Sequence, residues 1–138
     1  MQDEACLFCK IAEKRIPAHI IYEDDRTIGF LDIAPRATGH SVIISKYHSP
    51  TLLDLPDEEL TPLFQSVKKI GKRIIKTLIA DGLTIGINQG IVSGQTVEHL
   101  HVHIIPRFRG DHGGSVHSVV NQPSSTPLSE VAQKLRQD

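Results

Sequence analysis

At 138 residues with 39% apolar residues, the chain is sized for one compact domain that buries its own core without a disulfide scaffold. A formal net charge of −1 excludes a generally basic surface for nucleic acid or acidic membranes, so any anion site must be built locally. The first five residues are acidic with no apolar run, and no stretch approaches the roughly 20 apolar residues of a spanning helix, so a cytoplasmic protein without a secretory signal is expected.

Leu7 to Arg15 carries apolar residues at helical spacing and stops before Pro17, which predicts a short amphipathic helix with Cys6 and Cys9 sharing one face. These are the only cysteines, and in a reducing compartment their spacing suggests metal or redox use. His19 to Tyr22 and Thr27 to Asp32 read as a hairpin around a polar turn, and His40 to Ser45 as a third strand. From Asp57 to about Ala80 an apolar stripe predicts one long helix, acidic at its start and basic further on, as the helix dipole favours. Pro62 limits where it can begin, and Asp81-Gly82 supplies a stop. Leu83 to Asn88 is a fourth strand, Gln89 to Thr96 a glycine-bearing loop, and Val97 to Ile105 a fifth strand ending at Pro106. Beyond Arg107 the chain loses its period until a final helix from Leu128 to Leu135.

In the fifth strand the two-residue period places His99, His101 and His103 on one face, with Leu100, Val102 and Ile104 on the other. Neutral imidazoles so arranged can bind a metal or do catalysis, and periodicity alone does not separate the two. The loop before them can bring backbone amides close to an anion around Gly94-Gln95-Thr96, with an amide and a hydroxyl as further donors.

The run from Gly94 to Arg107, containing His99-Leu100-His101-Val102-His103, resembles the signature of the histidine triad (HIT) family. Leu7 to Ala12, Ile16-Pro17-Ala18, Tyr22 to Asp25, Phe30 to Pro35 and Gly39-His40 match as well, so the resemblance runs from about Cys6 to Asp111. The Hint-like nucleotide-binding branch fits better than the transferase branch, whose triad ends in glutamine where this chain has His103. The resemblance implies an α+β HIT-like fold: a five-stranded antiparallel sheet with two main helices in a single domain, residues 1–138, with a tail of uncertain structure from residue 112.

It further implies a nucleotide hydrolase acting on purine nucleoside phosphoramidates or related conjugates. His101 would attack the α-phosphate and form a nucleotidyl-histidine that water then hydrolyses, with no catalytic metal required. His103 would donate to phosphate oxygens, His99 would orient its neighbour, and His40 would set protonation and position. Asp32 would accept from ribose hydroxyls; Phe8, Ile11, Phe30 and Ile33 would line the base pocket; Asn88, Gly94, Gln95 and Thr96 would hold phosphate and leaving group. Cys6, Cys9, His48 and His99 match the structural zinc ligands of a mainly bacterial subset, and thiolates with imidazoles suit zinc. A homodimer with two nucleotide sites is implied too. Alternatives are a dinucleoside polyphosphate hydrolase, a nucleotide-sensing interaction protein with incidental hydrolysis, and a zinc-binding module. Ser45 stands where the family usually has proline, a departure expected to touch no chemistry, and Glu98 is expected to point away from the histidine face.

Overall fold

The structure, a computed structural model, describes residues 3–137. Met1, Gln2 and Asp138, which the expected 1–138 domain and the expected signal-free N-terminus include, lie outside them. The elements run α1 (Leu7–Ala12), β1 (Ile20–Glu23), β2 (Thr27–Leu31), β3 (Ser41–Ser45), α2 (Asp57–Leu78), β4 (Gly82–Gly86), β5 (His101–Arg107) and α3 (Leu128–Leu135). The strands form one antiparallel sheet in the order β1-β2-β3-β5-β4, in a single α+β domain as expected. No helix of the described residues is long and apolar enough to cross a membrane.

Strand alternation divides the core between two faces of the sheet. On one face Phe8, Cys9, Ile11 and Ala12 of α1 pack with Ile28, Phe30, Val42 and Ile44. On the other, Leu63, Val67, Ile70 and Ile74 of α2 pack with Ile43, Leu100, Val102 and Ile104. His101 pairs with Ile44 and His103 with Val42, so both imidazoles stand on the α1 face. The expected alternation therefore holds, but the strand is shorter than expected. The β5 ladder begins at His101, and residues 97–99 bend into it, so His99 precedes the ladder. The strand also runs through Pro106, which pairs with Leu83 of β4 and lies past the last β3 pair, Ser41 with Ile104. A residue without an N–H is tolerated where one neighbour of the strand has already ended.

Helix α1 ends at Ala12 rather than Arg15, because Lys14 turns to a positive φ of 62°. Helix α2 starts at Asp57 and carries Pro62 inside it, so the proline does not limit the start. Proline removes the N–H that would have bonded to the Glu58 carbonyl. Arg26 supplies the replacement, its NH2 lying 3.4 Å from that oxygen while also pairing with Glu59 at 2.6 Å. The helix stops at Ile79, which takes the left-handed conformation (φ 55°, ψ 45°) with its side chain exposed, and Gly82 is released to open β4. Just before β3, Gly39 takes φ +89°, and a Cβ there would collide with Leu78. That close approach fixes where the chain enters β3 and sets His40.

Ile70 is fully buried against the sheet, whereas Ile33 is 95% exposed. Ile70→Ala is expected to lower the unfolding free energy by about 2–5 kcal/mol in urea denaturation. Ile33→Ala should stay within about 0.5 kcal/mol of the parent, and equal losses would contradict this division of core and surface.

Candidate active site and metal centre

The histidines of β5 and those around them occupy hydrogen-bonded positions that fix which ring nitrogen carries a proton. The Arg36 backbone N–H donates to His40 Nδ1 at 3.1 Å, so the neutral His40 ring carries its proton on Nε2. That nitrogen lies 2.9 Å from His103 Nδ1 and donates to it, which puts the His103 proton on Nε2. Burial holds both imidazoles below their ordinary value of 6.5; neighbouring histidines push His103 the same way, and Asp32 opposes the shift in both. Both are therefore neutral at pH 7, as the relay of single protons requires. Asp32 Oδ2 stands 3.5 Å from His40 Nε2 and 3.9 Å from His103 Nδ1, while its Oδ1 accepts from the Ala34 N–H at 2.8 Å.

His101 is anchored differently. Its Nδ1 lies 2.7 Å from the His99 carbonyl oxygen, an acceptor only, so the proton sits on Nδ1 and the lone pair on Nε2. Phe8 meets the His101 ring edge-on at 5.0 Å between centroids and Phe30 at 5.4 Å, and His103 meets His101 edge-on at 5.0 Å. Phe8, Ile11 and Phe30 are buried in the α1 face, and Ile33 lies on the surface just past Asp32. With its Nδ1–H held, an imidazole that presents the Nε2 lone pair beside a second imidazole offering an N–H can attack phosphorus and stabilise the charge that develops there.

A second cluster sits behind the first. Cys6, Cys9, His48 and His99 each offer one donor atom, and the four lie within 4.8 Å of one another. Cys6 Sγ to His99 Nδ1 is 3.4 Å, Cys9 Sγ to His48 Nδ1 3.4 Å, Cys9 Sγ to His99 Nδ1 3.6 Å, and the two imidazole nitrogens are 3.3 Å apart. Zinc, with bonds of about 2.3 Å to sulfur and about 2.0–2.1 Å to nitrogen, would space tetrahedral ligands about 3.3–3.8 Å apart, so the donor set fits. His99 is fully buried and donates through Nε2 to the Ser45 carbonyl at 2.8 Å, leaving a bare Nδ1 turned toward the thiols. Burial pushes His99 down to about 4 and Cys9 up to about 11, the state of neutral groups that a metal would draw into ligation. Cys6 also caps α1, its sulfur accepting from the Cys9 N–H at 3.4 Å, which ties the spacing of the pair to the helix start.

Other expected site residues are placed less directly. Gly94 turns with φ +98° beside Asn88, which with Thr96 is exposed. Gln95 was expected to offer its amide to phosphate, but that amide is spent within the protein: Nε2 donates to the Pro50 and Val97 carbonyls at 2.7 and 3.0 Å, and Oε1 accepts from Gly90 at 2.8 Å. The Ser45 carbonyl accepts from His99 Nε2, a main-chain contact that proline would also supply, while the Ser45 hydroxyl bonds Glu59 and Tyr47 away from the histidines. Glu98 is exposed, as are His112 and His117 in the tail. The contributions of Arg36, Ser45 and the His99 carbonyl escape sequence reasoning because they come from the backbone, which every residue shares. Gln89 is also missed; its side chain accepts from the Leu52 N–H at 3.1 Å.

Comparison with known proteins agrees with the fold and the motif. The family model described as HIT domain matches residues 13–110. Adenosine 5'-monophosphoramidase HNT1 of Saccharomyces cerevisiae is 42% identical over 105 residues, 76% of this chain and 64% of the yeast protein, somewhat under two-thirds of its length. The crystal structure of SMU.412c from Streptococcus mutans UA159 superposes with a TM-score of 0.88 at 36% identity, covering 98% of this chain and 85% of that one. A Zn-bound histidine triad family protein from Mycobacterium smegmatis superposes with a TM-score of 0.74 at 34% identity, covering 96% of this chain and 91% of the other. With the family model spanning most of its length and the histidine signature in its fifth strand, the chain belongs to the HIT family.

Proposed function

We propose that this HIT-family enzyme is a nucleotide hydrolase acting on the α-phosphate of purine nucleoside phosphoramidates or related conjugates. The observation that carries this reading is the 2.7 Å hydrogen bond from His101 Nδ1 to the His99 carbonyl, which turns the Nε2 lone pair into a nucleophile. In the first step the Nε2–phosphorus bond forms as the bond from phosphorus to the leaving amine breaks, and the departing nitrogen takes up a proton from solvent water. Water then attacks the same phosphorus and gives up a proton to solvent as the phosphorus–Nε2 bond breaks, so the nucleoside monophosphate leaves with His101 restored and the two proton transfers cancel. His103 donates its Nε2–H to the phosphate oxygens, where charge grows, and His40 keeps that proton in place by filling His103 Nδ1. Neither step calls for a metal.

Asp32 receives the ribose hydroxyls, Phe8, Ile11, Phe30 and Ile33 receive the base, and Asn88, Gly94 and Thr96 stand around the leaving group. The yeast relative's name, a monophosphoramidase, supports a nucleoside monophosphate joined to an amine as substrate. The working unit is a single domain with its core from Cys6 to Asp111. A cytoplasmic location fits its two free thiols.

Zinc is the group that Cys6, Cys9, His48 and His99 would hold, and when bound it supplies a structural cross-link between α1, the turn after β3 and the start of β5. The active form is a homodimer joined through the outer edge of β4 and the neighbouring face of α2, where Phe64, Ile75 and Ile85 are 41–46% exposed. Light scattering that gave a monomer mass would remove this assembly.

His101→Ala is expected to abolish turnover of an adenosine phosphoramidate, a loss of at least about a thousandfold, while adenosine monophosphate binds nearly as in the parent in calorimetry. Binding lost in step with turnover would make His101 an anchor instead. Elemental analysis should find about one zinc per parent chain and much less in Cys9→Ala; full retention in the variant would refute the ligand set.

A further inference from the structure

The glycine loop between β4 and β5 has little in its own composition to hold it. Its single 3-10 turn, Ile91–Ser93, has no buried residue; Ile91 is 85% exposed and Val92 entirely so, and Gly90 and Gly94 turn at φ +86° and +98°. A segment without apolar contacts opens easily unless polar bonds fix it. Main-chain bonds from the Ser93 and Gln95 N–H groups to the Gly90 carbonyl close the turn locally, and two glutamine side chains fasten it to the rest of the protein. Gln95 closes the loop on itself through the Gly90 N–H and fastens it outward through the Pro50 carbonyl, with its second amide proton on Val97. Gln89, at the other end, accepts from the Leu52 N–H.

Both outward bonds land on one short turn, Ser49 to Leu52, immediately after His48. The same turn is stitched to the histidine segment by the Leu100 N–H on the Ser49 carbonyl at 2.6 Å. We infer that Gln89 and Gln95 are positioning residues: a two-point latch that holds the phosphate-side loop, with Asn88, Gly94 and Thr96, in register with His101 by clamping it to the turn that follows His48. Gln95 has no amide proton left for a phosphate while the latch is closed. The role in catalysis rests on the hydrolase reading above; the latch itself does not.

The test combines hydrogen exchange on the free, zinc-replete protein with steady-state kinetics, for the parent, Gln95→Ala, Gln95→Glu and Gln89→Ala. Each loss of latch bonds should speed amide exchange in residues 89–97 by about tenfold, with α2 and β2 unchanged. Gln95→Glu keeps the acceptor but sets a carboxylate against two carbonyls, so it should open the loop at least as far as Gln95→Ala. With an adenosine phosphoramidate, kcat should fall about tenfold in the Gln95 variants, while affinity for adenosine monophosphate changes less than threefold. Unchanged loop exchange together with weakened monophosphate binding would overturn the latch and make Gln95 a direct ligand. If the parent turns over no nucleotide conjugate, the hydrolase reading fails while the exchange result still decides the latch.

Discussion

The structure turns on one hydrogen bond, from the ring of His101 to the backbone of His99 two residues earlier. An imidazole has two nitrogens and, when neutral, one proton, so its usefulness as a nucleophile depends on where that proton is held. A carbonyl cannot donate, and placing one against Nδ1 removes the ambiguity. The neighbouring pair solves the opposite problem by the same means: a backbone N–H from Arg36 fills His40 Nδ1, His40 fills His103 Nδ1, and the chain of donors ends in an N–H on His103 Nε2. One ring thus presents a lone pair and the next an N–H, and burial disfavours the charged form of His40 and His103.

The carbonyl that orients His101 has to be still, and the residue that bears it is the most constrained histidine in the molecule. His99 is fully buried, its Nε2–H is held by the Ser45 carbonyl and its Nδ1 faces both thiols. On the proposed reading the His99 side chain would serve a zinc cross-link while its backbone orients His101, which would divide the three histidines into a reacting pair and a brace. It also explains how α1, β3 and the loop ahead of β5 converge on one strand: Cys6 and Cys9 come from the helix start, Ser45 from the strand end, and the Ser49 to Leu52 turn carries the bonds to Leu100, Gln89 and Gln95.

Much of this was legible in the sequence because it is written in side chains at regular spacing. The alternation of His101, Val102, His103 and Ile104 forecasts which residues face α1 and which face α2, and the apolar stripe from Leu60 onward forecasts the long helix. The Cys6, Cys9, His48 and His99 donors were readable only through family resemblance, since distances in sequence as long as 93 residues say nothing of distances in space. What failed to show depends on compensation or on backbone. Pro62 reads as a helix limit unless one knows that Arg26, from another element, takes the freed Glu58 carbonyl. Ile79 in a left-handed stop violates local preference and is carried by the helix and strand on either side of it. Ser45 and Arg36 act through main-chain atoms that any residue provides, and Gln95 looks like a ligand until its amide is found already bonded.

The proton positions are the most direct point of test, and nitrogen-15 NMR of histidine-labelled protein near pH 7 reads them ring by ring. The expected spectrum has His101 protonated at Nδ1 with an unprotonated Nε2, and His40 and His103 both protonated at Nε2. A His101 ring protonated at Nε2 would leave no lone pair facing the substrate and would contradict the assignment of His101 as the nucleophile.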